Sequence, residues 1–366
     1  MNESIGKTRA AEPAGRRKPL AMLGAVLFVV ISVYASRSPL VPGPATALAD
    51  AEQPSAATTR AVAAADAFLA ALDDKQREKA AYEFGSPKKP NWSNLPVTIV
   101  PRNGVRLGDL TAAQRTLAMA AVAAVLSKGG YQKVVDIMDG DQQLADRQGG
   151  RGGRVMFGAD QYYLAIFGKP SAAQPWMVQF GGHHLGVNVT VIGKHFVLTP
   201  THTGAQPALF KRGGRDVRPL GLENDAGFKL VNALDEKQRA QAVIGDRPQG
   251  ELLLGPGRDN RKPPEPEGVK GSALTADQRA LLLDLIGAWV HIAEPDAAAA
   301  RMAEIKDKIG DTYFAWKGPT EKGRAVYFRV QGPAVWIEYA PQGGTDHIHT
   351  VVRNPNDDYG AGRLKR

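Results

Sequence analysis

The chain has 366 residues, 43% of them hydrophobic, so it can bury a substantial core and form one large domain or several small ones. It contains no cysteine, which excludes disulfide bonds, thiolate metal ligands and a thiol nucleophile. The net charge is +9, but the basic residues form no stripe interleaved with aromatic residues, so we expect no nucleic-acid partner.

An export signal is predicted at the N-terminus. The apolar run Leu20–Ala35 follows the basic residues Arg16–Lys18 and precedes the small-residue motif Ala47–Ala49, an order typical of a secretion signal. The run has 16 residues, whereas a spanning helix needs roughly 20. We therefore predict a signal peptide over residues 1–49, an extracytoplasmic (periplasmic or secreted) mature protein of net charge +5, and no stable membrane span after cleavage. The alternative is an uncleaved anchor, which also leaves the bulk of the chain outside the cytoplasm.

Three motifs occur twice in the same order, which indicates a duplicated unit. They are Ala71–Arg77 and Ala233–Arg239, Leu110–Arg115 and Leu274–Arg279, and Tyr163–Gly168 and Tyr313–Gly318. Two copies are too few for a solenoid array. We therefore predict two pseudo-symmetric halves, residues 50–222 and 223–366, within one domain.

The two copies differ in length between the second and third motifs. This separation is 53 residues in the first copy and 39 in the second. The difference of 14 residues equals the length of Gly140–Gly153, which is rich in glycine and arginine. We predict that Gly140–Gly153 is an inserted surface loop. The second copy has its own irregular segment, Gly255–Ser272, which is dense in proline and charge.

Local signals place helices before strands in each half. Thr111 with Gln114, and Thr275 with Gln278, form capping-box patterns that predict helix starts. The following helices are predicted to end near Val125 and Ala293. Segments rich in alternating, β-branched or aromatic residues predict strands: Val155–Phe167, Trp176–Ile192, Thr312–Trp316 and Ala325–Tyr339. The prediction is an α+β fold in which each half consists of helices followed by an antiparallel β-meander.

Histidines concentrate in or just after the two predicted meanders. Residues two apart in a strand share a face, so His347 and His349 should project together, with Arg353 further along that face. A strand from His184 would place Asn188 on the same face as His184. The seven histidines of the chain are His183, His184, His195, His202, His291, His347 and His349.

The register of the repeat predicts a shared site. An offset of 150 residues aligns Asn188 with Glu338, and pairing of the halves would bring both near His184. His347 and His349 would complete the cluster. The same offset sets only valine and threonine opposite these two histidines, so the predicted site is asymmetric.

Such a set of imidazoles and one carboxylate suits a divalent transition metal, Zn²⁺ above all, with Cu²⁺ or Fe²⁺ as alternatives. We predict His184, His347 and His349 as ligands. His183 and Glu338 are predicted as a fourth ligand or as acid and base, and Arg353 as the group that steers an anionic substrate.

For several of these residues, an ordinary structural role is the alternative. His183 and His184 follow two glycines and can simply support a tight turn. His291, in an apolar helix, is predicted to be a core residue. His195 and His202 are predicted to be loop or edge residues.

The chain also resembles a known family, domain of unknown function 3500, over about residues 63–360. The resemblance is carried by Gln179–His184 (QFGGHH), Leu198–Thr201 (LTPT), His347–Arg353 (HIHTVVR) and Asn356–Gly360 (NDDYG). It implies no established activity, because the family has none to carry over. It implies an aromatic residue at the position of His202, which argues against His202 as a metal ligand.

These observations lead to three functional hypotheses. The first is an exported metal-dependent hydrolase, favoured over an oxidoreductase, that acts on a small anionic substrate between the two halves. The second is an extracytoplasmic protein that binds a small molecule or metal without turnover. The third is a metal-free acid/base enzyme that uses His184 and Glu338. The sequence has no G-x-S-x-G or H-E-x-x-H motif that would point to a familiar hydrolase site.

Overall fold

The computed structural model describes residues 55–147 and 155–365. The predicted signal peptide, residues 1–49, lies outside the described residues. Among the helices that are described, none is long and apolar enough to cross a membrane.

Eight α-helices occur in the described part of the chain. Four precede the first long strands: α1 (Ala56–Ala70), α2 (Asp74–Ala80), α3 (Ala112–Ala124) and α4 (Lys128–Arg147). Four more follow later: α5 (Gly221–Ala233), α6 (Glu236–Ala242), α7 (Ala276–Val290) and α8 (Pro295–Asp307).

The strands fall into three groups along the chain. The first group is β1 (Ala81–Tyr82), β2 (Val105–Arg106), β3 (Tyr163–Phe167), β4 (Trp176–Gly182) and β5 (Leu185–Ile192). The second is β6 (His195–Val197), β7 (Thr201–Ala205), β8 (Phe210–Arg212) and β9 (Arg215–Val217). The third is β10 (Val243–Gly245), β11 (Val269–Lys270), β12 (Tyr313–Lys317), β13 (Tyr327–Gln331), β14 (Trp336–Pro341) and β15 (Ile348–Arg353).

The repeated motifs mark helix starts. The capping boxes predicted before α3 and α7 are confirmed, and the Ala-Leu-Asp motifs provide two more, at Asp73 and Asp235. The capping glutamines also pair with each other: Gln114 Nε2 donates to Gln76 Oε1 over 2.8 Å, and Gln278 Nε2 donates to Gln238 Oε1 over 2.7 Å. Each pair joins two helix starts, which accounts for the joint recurrence of both motifs.

The mixed α+β class is confirmed, but thirteen of the described strands form one continuous sheet instead of two separate meanders, and β8 and β9 form a separate two-stranded sheet. The order is β1-β3-β4-β5-β7-β15-β14-β13-β12-β10, and β7 joins the two series by antiparallel pairing with β15. The outermost pairs, β1 with β3 and β10 with β12, are parallel, so the sheet is mixed. The two series of strands therefore meet where β7 pairs with β15, in the middle of the sheet.

Two predicted segments differ from the structure. Residues 140–147 belong to α4, so the predicted insertion Gly140–Gly153 is helical over its first part, and residues 148–154 lie outside the described residues. The strand predicted over Val155–Phe167 is confined to β3, because a short 3-10 turn at Ala159–Gln161 interrupts the extended chain.

The sheet has two differently covered faces. Alternate strand residues such as Val187, Val189 and Ile337 join the main core with the helices, as their alternation predicts. The intervening residues face the other way, where Trp336 packs with Trp92 and Leu252 in a smaller cluster. The irregular segments around Trp92 and Leu252 thus cover the second face, and His202 and His349 lie on that face.

Candidate metal centre

The turn between β4 and β5 presents two of the histidines. Gly182 ends β4 and Leu185 begins β5, so His183 and His184 alone form the connection. His184 has φ +62°, a left-handed conformation that costs a non-glycine residue of order 1–2 kcal/mol. Strain of this kind persists where surrounding contacts impose it and is common at functional sites. Here Gly204 N donates to His184 O over 2.7 Å and fixes the turn on β7.

The start of β15 presents His347 and His349. His349 is paired with Gly204 of β7 and Ala340 of β14. His347 lies just before β15, and its Nε2 is 3.0 Å from that of His349, so the two rings project to the same side, as predicted. Gly204 has no side chain, and a Cβ there would lie 3.1 Å from His184 Cβ. The small residue thus leaves the space through which His184 reaches the histidines of β15.

Three imidazole nitrogens converge at this point. His184 Nε2 lies 2.8 Å from His347 Nε2, which lies 3.0 Å from His349 Nε2. Ligand atoms of all three residues fall within 4.8 Å of one another. Nitrogens around a tetrahedral Zn²⁺ are about 3.3 Å apart, given Zn–N bonds of about 2.0–2.1 Å. Small outward shifts of the rings therefore produce the spacing of a metal site, and the histidine cluster can hold a metal ion.

Burial keeps these imidazoles neutral. It lowers the pKa of His347 to about 4 and that of His349 to about 2, helped by neighbouring histidines. Burial likewise places the pKa of His184 well below its ordinary value. Neutral imidazole is the form that binds metals, because the nitrogen lone pair must be available. The cluster is therefore ready to bind a cation near pH 7 without first losing protons.

An outer contact orients one ring. The side-chain Nδ2 of Asn94 lies 3.1 Å from His349 Nδ1, and the backbone O of Asn94 accepts a hydrogen bond from His184 N over 3.3 Å. An amide presents either its oxygen or its nitrogen by rotating. With the oxygen toward the ring, Nδ1 carries the proton and the Nε2 lone pair faces the cluster, as a ligand requires.

Asp141 and His183 form a second buried pair beside the cluster. Asp141 Oδ1 lies 2.5 Å from His183 Nδ1, and Asp141 Oδ2 accepts a hydrogen bond from Gly158 N over 3.0 Å. Ligand atoms of Asp141, His183 and His184 also lie within 4.8 Å of one another. However, the two histidine rings stack with centroids 3.6 Å apart and planes 30° apart. Asp141 Oδ1 is in hydrogen-bond contact with His183 Nδ1, so we interpret Asp141 and His183 as a hydrogen-bonded dyad.

Sequence reasoning missed Asp141 because it was assigned to the predicted inserted loop. The residue lies instead in α4, where it is 1% exposed. A signal was present: Val134, Ile137, Met138 and Asp141 follow the spacing of one helix face. A carboxylate on the apolar face of a helix needs a buried partner, and here that partner is His183.

His202 also belongs to this region, contrary to its prediction as a loop or edge residue. It lies on the central strand β7, is fully buried, and its ring centroid is 5.3 Å from that of His349. Neither ring nitrogen has a hydrogen-bond partner among the described residues. Burial lowers the pKa of His202 to about 3, so it adds a neutral wall to the site.

The two remaining histidines lie elsewhere. His195 is on β6, which pairs only with β5 among the described strands, in keeping with its predicted edge position. The core role predicted for His291 is wrong, because this residue is exposed at the C-terminal cap of α7.

Glu338 does not join the histidines as predicted. Its carboxylate is fully buried and accepts four hydrogen bonds, from Leu253 N, Leu254 N, Tyr327 Oη and Trp336 Nε1, over 2.7–2.9 Å. Four donors occupy the four acceptor positions of a carboxylate. Glu338 therefore anchors the segment that covers this face of the sheet. Asn188 is likewise satisfied elsewhere, by Gln179 and the Pro200 carbonyl.

Arg353 lies on the predicted face but not in the predicted role. Its Nη1 donates to Asp259 and to Asp358, each over 2.9 Å, and its Nε donates to the Leu254 carbonyl over 2.7 Å. The guanidinium is buried between two carboxylates, so it has no charge to spare for a substrate. The prediction that Arg353 steers an anion is corrected on this ground.

A cleft leads to the cluster from outside. It has a volume of about 220 Å³ and is lined by Asn94, Leu95, Glu251, Arg258, Gln342 and His349, among others. His349 is thus the cluster residue that lines the cleft. The cleft provides a place for a small molecule next to the three converging nitrogens.

Comparison with known proteins agrees with the resemblance in the sequence. No curated protein and no solved structure matches the chain. The family model described as "Protein of unknown function (DUF3500)" matches residues 54–361, which include the β4–β5 turn and the histidines of β15. The chain therefore belongs to the DUF3500 family.

Proposed function

We propose that this protein is a metal-dependent hydrolase acting on a small anionic substrate, with His184, His347 and His349 as the metal ligands. The observation that carries the proposal is the convergence of three neutral Nε2 atoms, with successive separations of 2.8 and 3.0 Å, beside a cleft. Three protein ligands leave a coordination position for water, the pattern of catalytic sites, whereas structural zinc sites have four protein ligands.

Zinc is the metal we propose, with copper or iron as alternatives. An all-imidazole set of three is typical of catalytic Zn²⁺, and imidazole also suits Cu and Fe. The chain has no cysteine, so thiolate-selective metals have no soft ligand here. A bound metal would lower the pKa of a coordinated water to about 7, which would supply a nucleophile near neutral pH.

The hydrolytic step that we propose is simple. The water oxygen bonds to the electrophilic carbon of the substrate, the bond from that carbon to its leaving group breaks, and the leaving group receives a proton that the water gives up. We assign transfer of this proton to His183, which lies against His184 and is held by Asp141. A carboxylate on Nδ1 orients an imidazole and stabilises its protonated form, as this role requires.

We also propose that the protein works outside the cytoplasm and that its site arose by duplication. The predicted signal peptide, residues 1–49, supports the first point. The recurring motifs and the equivalent glutamine pairs of the helix starts support a pseudo-twofold relation between the halves. His184 comes from the first half and His347 and His349 from the second, so the site lies between them.

Metal analysis of protein purified without a histidine tag tests the proposal. We expect about one equivalent of zinc after reconstitution and dialysis, and loss of most of it in His347→Ala. His291→Ala is the matched control, because His291 is exposed at the end of α7. Metal content no higher in the wild type than in His347→Ala would refute the metal site.

Turnover is tested on the zinc-loaded protein with a panel of small anionic esters and amides. We expect hydrolysis that a chelator abolishes and added zinc restores. Stoichiometric zinc without hydrolysis of any panel member would refute the hydrolase and favour a binding protein. Hydrolysis that survives complete metal removal would favour the metal-free acid/base enzyme instead.

A further inference from the structure

The cleft beside the cluster contains one arginine that is not committed to another group. Arg258 lines the cleft, and its Nη2 is 3.8 Å from Glu251 Oε2, too far for a hydrogen bond. The Glu251 side chain is 82% exposed and the Arg258 side chain 45%. An ion pair of this length in water contributes little, so the guanidinium can exchange it for a ligand.

A second cation lies behind the wall of the cleft. Arg102 donates to the carbonyls of Ser93, Leu95 and Gly182, and no carboxylate is among its hydrogen-bond partners in the described residues. These bonds fix the Asn94–Leu95 wall of the cleft to the β4–β5 turn. Arg102 is half-buried, so its charge is less screened than that of an exposed group and favours anions on this side of the molecule.

The lining of the cleft matches a carboxylate better than a phosphate. Arg258 presents planar paired N–H donors, which fit the two oxygens of a carboxylate, and the amides of Asn94 and Gln342 add neutral polar groups. A phosphate monoester carries close to two charges at pH 7 and favours several cations, whereas the cleft lining offers one arginine.

We propose that Arg258 binds the carboxylate of a small organic acid whose reacting group lies at the histidine cluster. This inference rests on the proposed function for the reacting end and on Arg258 for the anionic end. It assigns the substrate class as short-chain carboxylates with a hydrolysable bond a few atoms from the acid group. Arg258 thus takes the role that Arg353, buried between two carboxylates, does not fill.

Binding of simple dicarboxylates tests the inference. Malonate, succinate, glutarate and adipate are titrated into the zinc-loaded protein by calorimetry, each against the monocarboxylate of equal chain length. One carboxylate can bind zinc while the other reaches Arg258. We expect one member of the series to bind at least tenfold more tightly than its monocarboxylate, and Arg258→Gln to abolish this advantage.

The controls separate charge from position. Arg261→Gln removes the same charge from the same segment, at a residue that is exposed and does not line the cleft, and should keep the advantage. Arg258→Lys, which retains charge without the planar fork, should keep only part of it. Two results would overturn the inference. One is equal affinity of the wild type for each dicarboxylate and its monocarboxylate, and the other is an undiminished preference for the dicarboxylate in Arg258→Gln.

Failure of the metal site is recognised separately. Metal content is measured on the same samples, and the titrations are repeated on chelator-treated protein. Absence of zinc together with weak carboxylate binding that Arg258→Gln removes would overturn the proposed function and support Arg258. One equivalent of zinc, together with carboxylate binding that Arg258→Gln does not change, would support the metal site and overturn the role of Arg258.

Discussion

Gly204 lies directly opposite His349 across the β7–β15 pair, and its missing side chain makes room for His184. A Cβ on Gly204 would lie 3.1 Å from both Cβ and Cδ2 of His184 and 3.0 Å from the Ile348 carbonyl. The site thus depends on a residue that contributes no ligand atom. The convergence of the three nitrogens is a property of strand register as much as of the histidines themselves.

Gly204→Ala should weaken metal binding. The added methyl pushes the His184 ring away from His347 and His349, and loss of ligand geometry of this kind costs about 10–100-fold in metal affinity. Competition with a zinc-binding chromophore measures the change. Gly85→Ala is the matched control, because a Cβ there would contact nothing within 4 Å. Unchanged affinity in Gly204→Ala would show that His184 is not held against Gly204.

Asp141→Asn should reduce turnover without removing the metal. The amide keeps the shape of Asp141 but cannot stabilise a protonated His183, and loss of acid–base assistance typically costs about 10²–10⁴-fold in rate. The readouts are kcat on the best substrate of the panel and zinc content. Asp146→Asn, on the exposed side of α4, should leave both unchanged. Loss of zinc in Asp141→Asn would make Asp141 a metal-site residue instead of a partner for proton transfer.

Metal-free protein should lose stability as the pH falls from 6.5 toward 4. Burial lowers the pKa of His347 to about 4, of His202 to about 3 and of His349 to about 2, against about 6.5 in the unfolded chain. Above pH 6.5 both states are neutral and nothing is contributed. Below it the unfolded chain binds protons that the folded protein excludes, so the free energy of unfolding falls by about 1.4 kcal/mol per pH unit for each histidine.

Urea unfolding of chelator-treated protein at pH 7 and pH 5 measures this effect. His202→Phe removes one of the histidines and its two unpartnered buried nitrogens, so its stability should depend less on pH than that of the wild type. The same urea midpoint at both pH values in the wild type would contradict the assigned protonation states.

Glu338→Gln should destabilise the fold while leaving the metal bound. An amide accepts hydrogen bonds on one atom only, so at least two of the four donors that now face the carboxylate lose their partner. Each buried donor left without an acceptor costs about 1–3 kcal/mol. Urea unfolding measures the loss. A matched loss of zinc affinity in the folded variant would return Glu338 to the metal site.

Much of this protein was determined by the sequence itself. The capping boxes before α3 and α7, the α+β class, and the common side of His347 and His349 follow from local spacing, because helix caps and strand alternation are set within a few residues. The face of β5 that packs against the helices was predictable for the same reason, because apolar residues at every second position identify the core face.

The register of the repeat predicted that His184, His347 and His349 meet, but only the tertiary structure decided through which strands they meet and which other polar groups lie beside them. His184 and His347 are separated by 163 residues and come together because β7 pairs with β15, a register that no local pattern reveals. The same pairing buries His202. The carboxylate of Glu338, by contrast, accepts hydrogen bonds from backbone amides of the segment that covers β14. Asp141 was hidden in the predicted loop Gly140–Gly153, whose described residues 140–147 belong to α4, because packing of the apolar face of this helix outweighed the loop-like composition. Polar residues can be satisfied by many partners, and long-range packing selects among them.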